Sequence, residues 1–177
     1  MKRIAVASML CIALLSAGCT GTTGEAKPTP TTGGGTSTST PAASPLDSMK
    51  PCNLLTAAEV TTAGLNNPGK EAQVATSAGC EWRAADGGGV RAGIRTKSGV
   101  KDLNLSGDKV SEIKVGGLNA TKVEAQDGAK NACTIALSVS ESSSVLVIAT
   151  LNLSSSDTAA ACDRASKAAD LIAPKLS

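Results

Sequence analysis

Four cysteines constrain the fold of this chain more than any other feature. They stand at positions 52, 80, 133 and 162, and an even number of cysteines in an exported domain indicates disulfides. Four cysteines allow three pairings. We favour Cys52–Cys80 with Cys133–Cys162, since each closes a loop of about 30 residues and joins a predicted helix to a predicted strand. The crossed pairings stay open, and the lack of any C-x-x-C spacing argues against a thioredoxin-like site or a zinc ribbon.

The N-terminus has the pattern of an export signal. Lys2 and Arg3 precede an apolar run over 4–15. A helix that spans a bilayer needs about 20 residues, so this run is too short to cross a membrane. The segment 15–19, LSAGC, is similar to the bacterial lipobox, whose cysteine is lipidated, although Ser16 stands where that pattern favours leucine. We expect a signal peptide over 1–18 and a palmitate-bearing Cys19 at the extracytoplasmic face of the cell membrane. The alternative is an ordinary secretory signal.

Residues 19–49 have the composition of a linker that holds one folded domain away from the membrane. Thr, Ser, Gly and Pro dominate this stretch, which predicts a disordered tether, either inert or O-glycosylated. The remaining residues 50–177 are expected to form a single domain. Its core must be aliphatic, because Trp82 is the one aromatic residue of the chain.

Charge and composition exclude several classes of function. The chain has 17 basic and 15 acidic side chains, and removal of residues 1–18 takes away two basic ones and leaves 15 of each. Without a basic patch or a set of aromatic residues, the domain lacks the usual features of a nucleic-acid binder. The absence of histidine excludes Ser-His-Asp and Cys-His catalysis. We therefore expect no cofactor, no metal and no nucleic-acid partner.

Two helices are predicted at the ends of the domain. Thr56 and Glu59 have the spacing of a capping box, which predicts a helix that ends near Gly64. A second helix is predicted over 157–173, before Pro174. Its apolar residues fall on one stripe, which consists of Cys162, Ala165, Ala169 and Ile172.

Between these helices the sequence predicts strands. Residues 79–84 and 90–97 form a hairpin around the glycines at 87–89, and 111–115 and 119–126 are two further strands. Alternation of apolar residues from Ile135 to Val139 predicts a strand with one buried face, and 144–151 is apolar enough for a central strand. The fold class is therefore α+β: an antiparallel sheet of about five to six strands, packed by an N-terminal and a C-terminal helix and held by two disulfides.

Several short motifs resemble one protein family. They are PCNLLT at 51–56, the C-x-W at Cys80 to Trp82, the strand residue Cys133, and ACDRA at 161–165. In this order they resemble the actinobacterial envelope lipoproteins grouped as domain of unknown function family 3558. The resemblance covers about 50–177, with lipobox and linker in the same order ahead of it. It implies an envelope lipoprotein and no particular activity.

The sequence contains three kinds of pattern that are typical of catalytic or ligand-binding sites, and each also fits a plain structural role. Ser-x-x-Lys, the spacing of a serine nucleophile and a lysine base, occurs as Ser98/Lys101, Ser106/Lys109 and Ser111/Lys114. The partner motifs of penicillin-recognising enzymes are missing. Residues 87–92 match G-x-G-x-x-A but fit a hairpin turn better than a dinucleotide site. Residues 102–108 resemble half of a calcium loop, without the glutamate that would complete it.

Three arginines are the candidate ligand-binding residues. Arg91 and Arg95 are four residues apart and so share a sheet face, and Arg83 faces them across the predicted hairpin. They can bind an anionic ligand or partner, or form a solvated polar face. The sequence thus predicts a non-enzymatic binding or adaptor lipoprotein whose partner is an envelope protein or small ligand. The alternatives are a cell-wall or lipid-processing enzyme with a carboxylate or Ser/Lys site, and an extracytoplasmic sensor module.

Overall fold

The computed structural model describes residues 44–176. Cys19, the predicted signal peptide and most of the predicted linker lie outside these residues. Leu46, which the sequence places in the linker, is only 1% exposed and belongs to the core. The packed part of the chain therefore begins before residue 50.

Seven antiparallel strands form one sheet with the order β1-β2-β3-β7-β6-β5-β4. Their bounds are Lys70–Val74 (β1), Ser77–Arg83 (β2), Gly89–Arg95 (β3), Lys109–Val115 (β4), Leu118–Glu124 (β5), Ala132–Ser140 (β6) and Ser143–Thr150 (β7). The predicted hairpin is β2–β3, the two further predicted strands pair with each other as β4 and β5, and β7 is central as predicted. The sheet has more strands than the sequence predicts. β1 gives no apolar alternation because Val74 is its one buried residue.

Helix α2, Thr158–Ile172, covers one face of the sheet and packs mainly on β6 and β7. Asp157 begins it, since its Oδ1 accepts a hydrogen bond from Ala160 N at 2.9 Å. The predicted stripe of Cys162, Ala165, Ala169 and Ile172 is buried. We call the sheet face that α2 covers the helix face. It carries the core residues of the central strands, such as Val90, Ile135 and Val147.

The opposite face is also covered in part, which changes the expected environment of β6. The sequence predicts one buried face for this strand, but Thr134 and Ala136 on its other face are 0% exposed. Three residues of the loop between β3 and β4 pack with Ala136 and Leu146 on that side. They are Val100, Leu103 and Leu105. Because this cover comes from a distant loop, the pattern within β6 could not reveal it.

The N-terminal helix is too short to cover a face of the sheet. Thr56 and Glu59 form the predicted capping box: Thr56 N donates to Glu59 Oε2 at 2.7 Å, and Glu59 N donates to Thr56 Oγ1 at 3.3 Å. The helix α1, Ala57–Thr62, has six residues, and Val60 is its one buried residue. A second helix packed on the sheet is therefore not confirmed. The 3-10 helix Pro51–Asn53 contacts the strands instead.

Both favoured disulfides are present. Cys52–Cys80 joins the 3-10 helix to β2, with 5.0 Å between the Cα atoms, and Cys133–Cys162 joins β6 to α2, with 4.9 Å. Gly69 closes over the first bridge. A Cβ there would lie 2.7 Å from Cys80 Sγ and 2.4 Å from Trp82 Nε1, so only glycine fits against the disulfide and the buried indole.

Candidate functional site

The hairpin β2–β3 carries all three candidate arginines on one face of the sheet, opposite the helix face. In its register Glu81 is opposite Arg91, and Arg83 is opposite Gly89. Because directly opposed residues project to the same side, and every second residue of a strand does too, these side chains share one surface with Arg95. The shared face agrees with the prediction from the spacing.

Glu81 lies next to three basic side chains at the glycine end of the hairpin. Arg83 Nε lies 2.8 Å from Glu81 Oε1, and this pair leaves Arg83 largely exposed. Lys70 of β1 is opposite Glu81 on its other side. Arg91 has no ion pair among residues 44–176. One carboxylate thus stands among three cations.

A groove of about 340 Å³ opens beside these charges. Glu81, Arg83 and Arg91 line one part of it, and the rest is lined by the glycine turn, by Asn131, and by the end of β7 with residues just after it. Leu153, 97% exposed, stands at its rim. A second depression of about 250 Å³ adjoins it, since Glu81 and Arg83 line both, and Lys70 belongs to the second. Together they form a continuous, net positive surface.

The glycine turn that lines the groove is held by Arg164 of α2. Its Nη1 donates to the carbonyl oxygen of Thr150 at 2.6 Å, and its Nη2 donates to Asp86 Oδ2 at 2.8 Å. The hydrogen bond from Arg164 lowers the pKa of the Asp86 carboxyl. Gly88 packs flat against β7, because a Cβ there would lie 2.2 Å from the oxygen of Thr150. The hydrogen bonds from Arg164 thereby hold in place the glycine turn beside Arg83 and Arg91.

Arg95 does not belong to this groove. It stands four residues from Arg91 on the same strand, a distance of about 13 Å. Its Nη1 is 3.5 Å from Thr76 Oγ1, and its buried Nε has no hydrogen-bond partner among the described residues. The structure therefore separates the predicted trio into a pair at the groove and a third arginine at the other end of β3. Glu81, which the sequence pattern did not single out, is opposite Arg91 in the register and forms an ion pair with Arg83.

None of the three Ser-x-x-Lys matches lies on a helix that would bring serine and lysine together. Ser111 and Lys114 are three apart on β4 and so project to opposite faces. Ser106 Oγ donates to Asp127 Oδ1 at 2.8 Å, and Ser98 offers its carbonyl oxygen to Ser144 Oγ at 2.7 Å. These contacts are structural.

The two remaining motifs also have structural roles. The glycines at 87–89 join two strands, where a dinucleotide site needs a strand followed by a helix. In the loop resembling a calcium site, Asp102 Oδ2 accepts from Gly99 N at 2.8 Å, and Asp108 pairs with Lys130. Among residues 44–176 no three acidic or cysteine side chains are grouped as metal ligands would be. No helix in this range has the length and hydropathy to cross a membrane.

Comparison with known proteins gives a family match that spans most of the chain. The family model described as Protein of unknown function (DUF3558) matches residues 14–175. No curated protein and no solved structure matches. The match contains the four disulfide cysteines, the arginine groove and the whole sheet. The chain therefore belongs to the DUF3558 family of proteins of unknown function.

Proposed function

We propose that this protein is an extracytoplasmic lipoprotein, anchored through Cys19, that binds an anionic ligand in the groove of Arg83 and Arg91. The observation that carries the binding role is Arg91, which lines a groove of about 340 Å³ and has no ion pair among residues 44–176. The protein acts as a binding or adaptor module and not as an enzyme.

The charges of the groove favour a carboxylate or phosphate. Lys70, Arg83 and Arg91 with Glu81 sum to a charge of +2, and Glu81 engages only Arg83 closely. Arginine presents a planar fork of donors that matches either anion with two parallel hydrogen bonds. Sites for small ligands typically have volumes of about 300–1,000 Å³, and the volume of this groove is at the lower end of that range. The ligand is a small anion or one acidic side chain of an envelope protein.

The predicted tether suits an anchored receptor. The tether predicted over 19–49 has about 30 residues, and such a chain spans an r.m.s. distance of roughly 30 Å. The domain can then meet soluble ligands and neighbouring envelope proteins without leaving the membrane. The neutral balance of 15 basic and 15 acidic side chains gives no second attachment to lipid, so the acyl chains supply the anchoring.

A titration with defined anions tests the binding role. Purified Cys19→Ala protein is titrated with citrate, pyrophosphate and a deca-glutamate peptide, followed by calorimetry at low salt. We expect at least one probe to bind and the Arg91→Gln variant to bind it about tenfold more weakly, as the loss of a charge-assisted pair implies.

Arg95→Gln is the matched control, since Arg95 lies on the same strand and face but outside the groove. Its affinity should equal that of the parent. Equal losses for both variants, or no binding of any probe, would contradict the proposed site. A preference for the peptide over both small anions would identify a protein partner.

A further inference from the structure

The edge strand β4, Lys109–Val115, offers an unused pairing surface. It is last in the sheet order, and within the described part of the chain it pairs only with β5. Val110 on this strand is 49% exposed. An edge of seven residues carries a row of backbone donors and acceptors that another strand can satisfy.

We infer that this edge pairs with β4 of a second copy of the chain, antiparallel and centred on Ile113. A two-fold axis perpendicular to the sheet then joins two seven-stranded sheets into one. In this register Glu112 of each copy is directly opposite Lys114 of the other. Two equivalent ion pairs form on one face, and the two Ile113 side chains meet on the other.

Charge selects this register over its neighbours. A pairing centred on Glu112 would put two carboxylates opposite each other, and one centred on Lys114 would oppose two ammonium groups. Centring on Ser111 would place Glu112 opposite Val110. The charged residues that protect this edge from general strand pairing thus permit one self-complementary arrangement.

The contacts of Glu112 and Lys114 within one copy leave both side chains able to pair with a second copy. Glu112 Oε1 accepts a hydrogen bond from Thr121 Oγ1 at 3.1 Å, which holds the carboxylate on its face and leaves Oε2 unused within residues 44–176. Lys114 is exposed and has no ion pair in this range.

Ile113 is only partly buried, although it packs against the core. In the inferred dimer its remaining surface would be covered by the same residue of the second copy. Membrane attachment of both copies, as proposed above, would favour the association by confining them to one surface. The inference itself rests on β4 and does not depend on the arginine groove.

Cysteine cross-linking of the full-length chain in its host membranes tests the register. Ile113→Cys places the new thiols at the two-fold axis, where opposed Cα atoms are about 4.5–5.5 Å apart. We expect a reducible dimer on non-reducing gels after mild oxidation. Ser111→Cys is the matched control: it lies on the same face and is similarly exposed, but its copies would be about 13 Å apart. It should remain monomeric.

Charge reversal in the Ile113→Cys background tests the ion pairs. Glu112→Lys or Lys114→Glu alone should reduce the dimer yield about tenfold, because two attractive pairs become repulsive. The combined Glu112→Lys/Lys114→Glu variant should restore it. A dimer at Ser111→Cys, no dimer at Ile113→Cys, a cross-link only to a different protein, or failure of the combined variant to recover would each overturn the inference.

Discussion

Lys175 Nζ donates a hydrogen bond of 2.8 Å to the carbonyl oxygen of Leu54, which stands 121 positions earlier in the chain. The same ammonium group contacts the carboxylate of Glu59, which in turn accepts from Thr56 N. The C-terminal 3-10 helix Ala173–Lys175 is thereby joined to the capping box of α1. A short helix with one buried residue gains its attachment from this contact.

Replacing Lys175 should loosen both ends of the domain. Lys175→Met keeps the aliphatic stem but removes the donor from Leu54 and the charge from Glu59, so we expect a loss of about 1 kcal/mol in the free energy of unfolding. Urea unfolding measures the change. The control is Lys167→Met on α2, whose ammonium has no recorded partner among residues 44–176 and whose replacement should leave the midpoint unchanged.

The pH dependence of stability should report the same contact. The hydrogen bond from Lys175 is the largest of the effects that lower the pKa of Glu59 from 4.5. Its stabilising contribution is therefore complete above about pH 4.5, the unfolded value, and is lost as pH falls through the lower folded value. Glu59→Gln should flatten this decline in urea midpoints between pH 5 and pH 3. Glu141→Gln, at a side chain 96% exposed, should follow the parent, and an unchanged slope in Glu59→Gln would refute the coupling.

The disulfide between β6 and α2 should contribute strongly to stability. Cys133–Cys162 spans 29 residues, and the chain-entropy model gives about 3.6 kcal/mol for a loop of this length. The double variant Cys133→Ala/Cys162→Ala should lose about that amount, because its unfolded chain regains the conformational entropy that the closed loop removes. Removing Cys52 and Cys80 together provides the comparison. Peptide mapping of the parent without reduction should give both bridges, and a Cys52–Cys133 peptide would contradict the structure.

The glycine turn of the groove should not tolerate a side chain. A Cβ at Gly88 would lie 2.2 Å from the oxygen of Thr150 and 2.8 Å from Arg164 Nη1. Gly88→Ala must therefore shift the turn, and we expect a loss of about 2 kcal/mol in unfolding free energy. It should also weaken anion binding in calorimetry. Ala85→Ser in the same turn, at an exposed position, should change neither quantity.

Membrane attachment should depend on one cysteine. Cys19→Ala should move the protein from the membrane fraction to the soluble or secreted fraction, because the mature chain has no net basic charge to replace the lipid. Cys11→Ala, inside the predicted signal peptide, is the control and should still fractionate with membranes. If the Cys19→Ala protein still partitioned into detergent as the parent does, this result would contradict lipidation of Cys19.

The arginine site shows how far sequence reasoning reaches within a hairpin. Residue spacing and the glycine turn place Arg83 and Arg91 on one face correctly, since strand alternation is a local property. The same reasoning adds Arg95, because alternation assigns a face but not a position along the strand relative to a groove. Glu81 escapes notice because its role depends on the register across β2 and β3.

The sequence by itself determined the features that depend on neighbours in the chain: the capping box at Thr56, the β2–β3 hairpin and the stripe of α2. It favoured one of three cysteine pairings, and only the tertiary structure selected that pairing. Tertiary structure alone decided that β1 extends the sheet, that β6 is buried on both sides, and that Lys175 reaches Leu54. The physical reason is the range of the interactions. Turns, caps and periodicity act over a few residues, whereas a strand's second cover and a long-range ion pair require segments that meet only after the chain has folded.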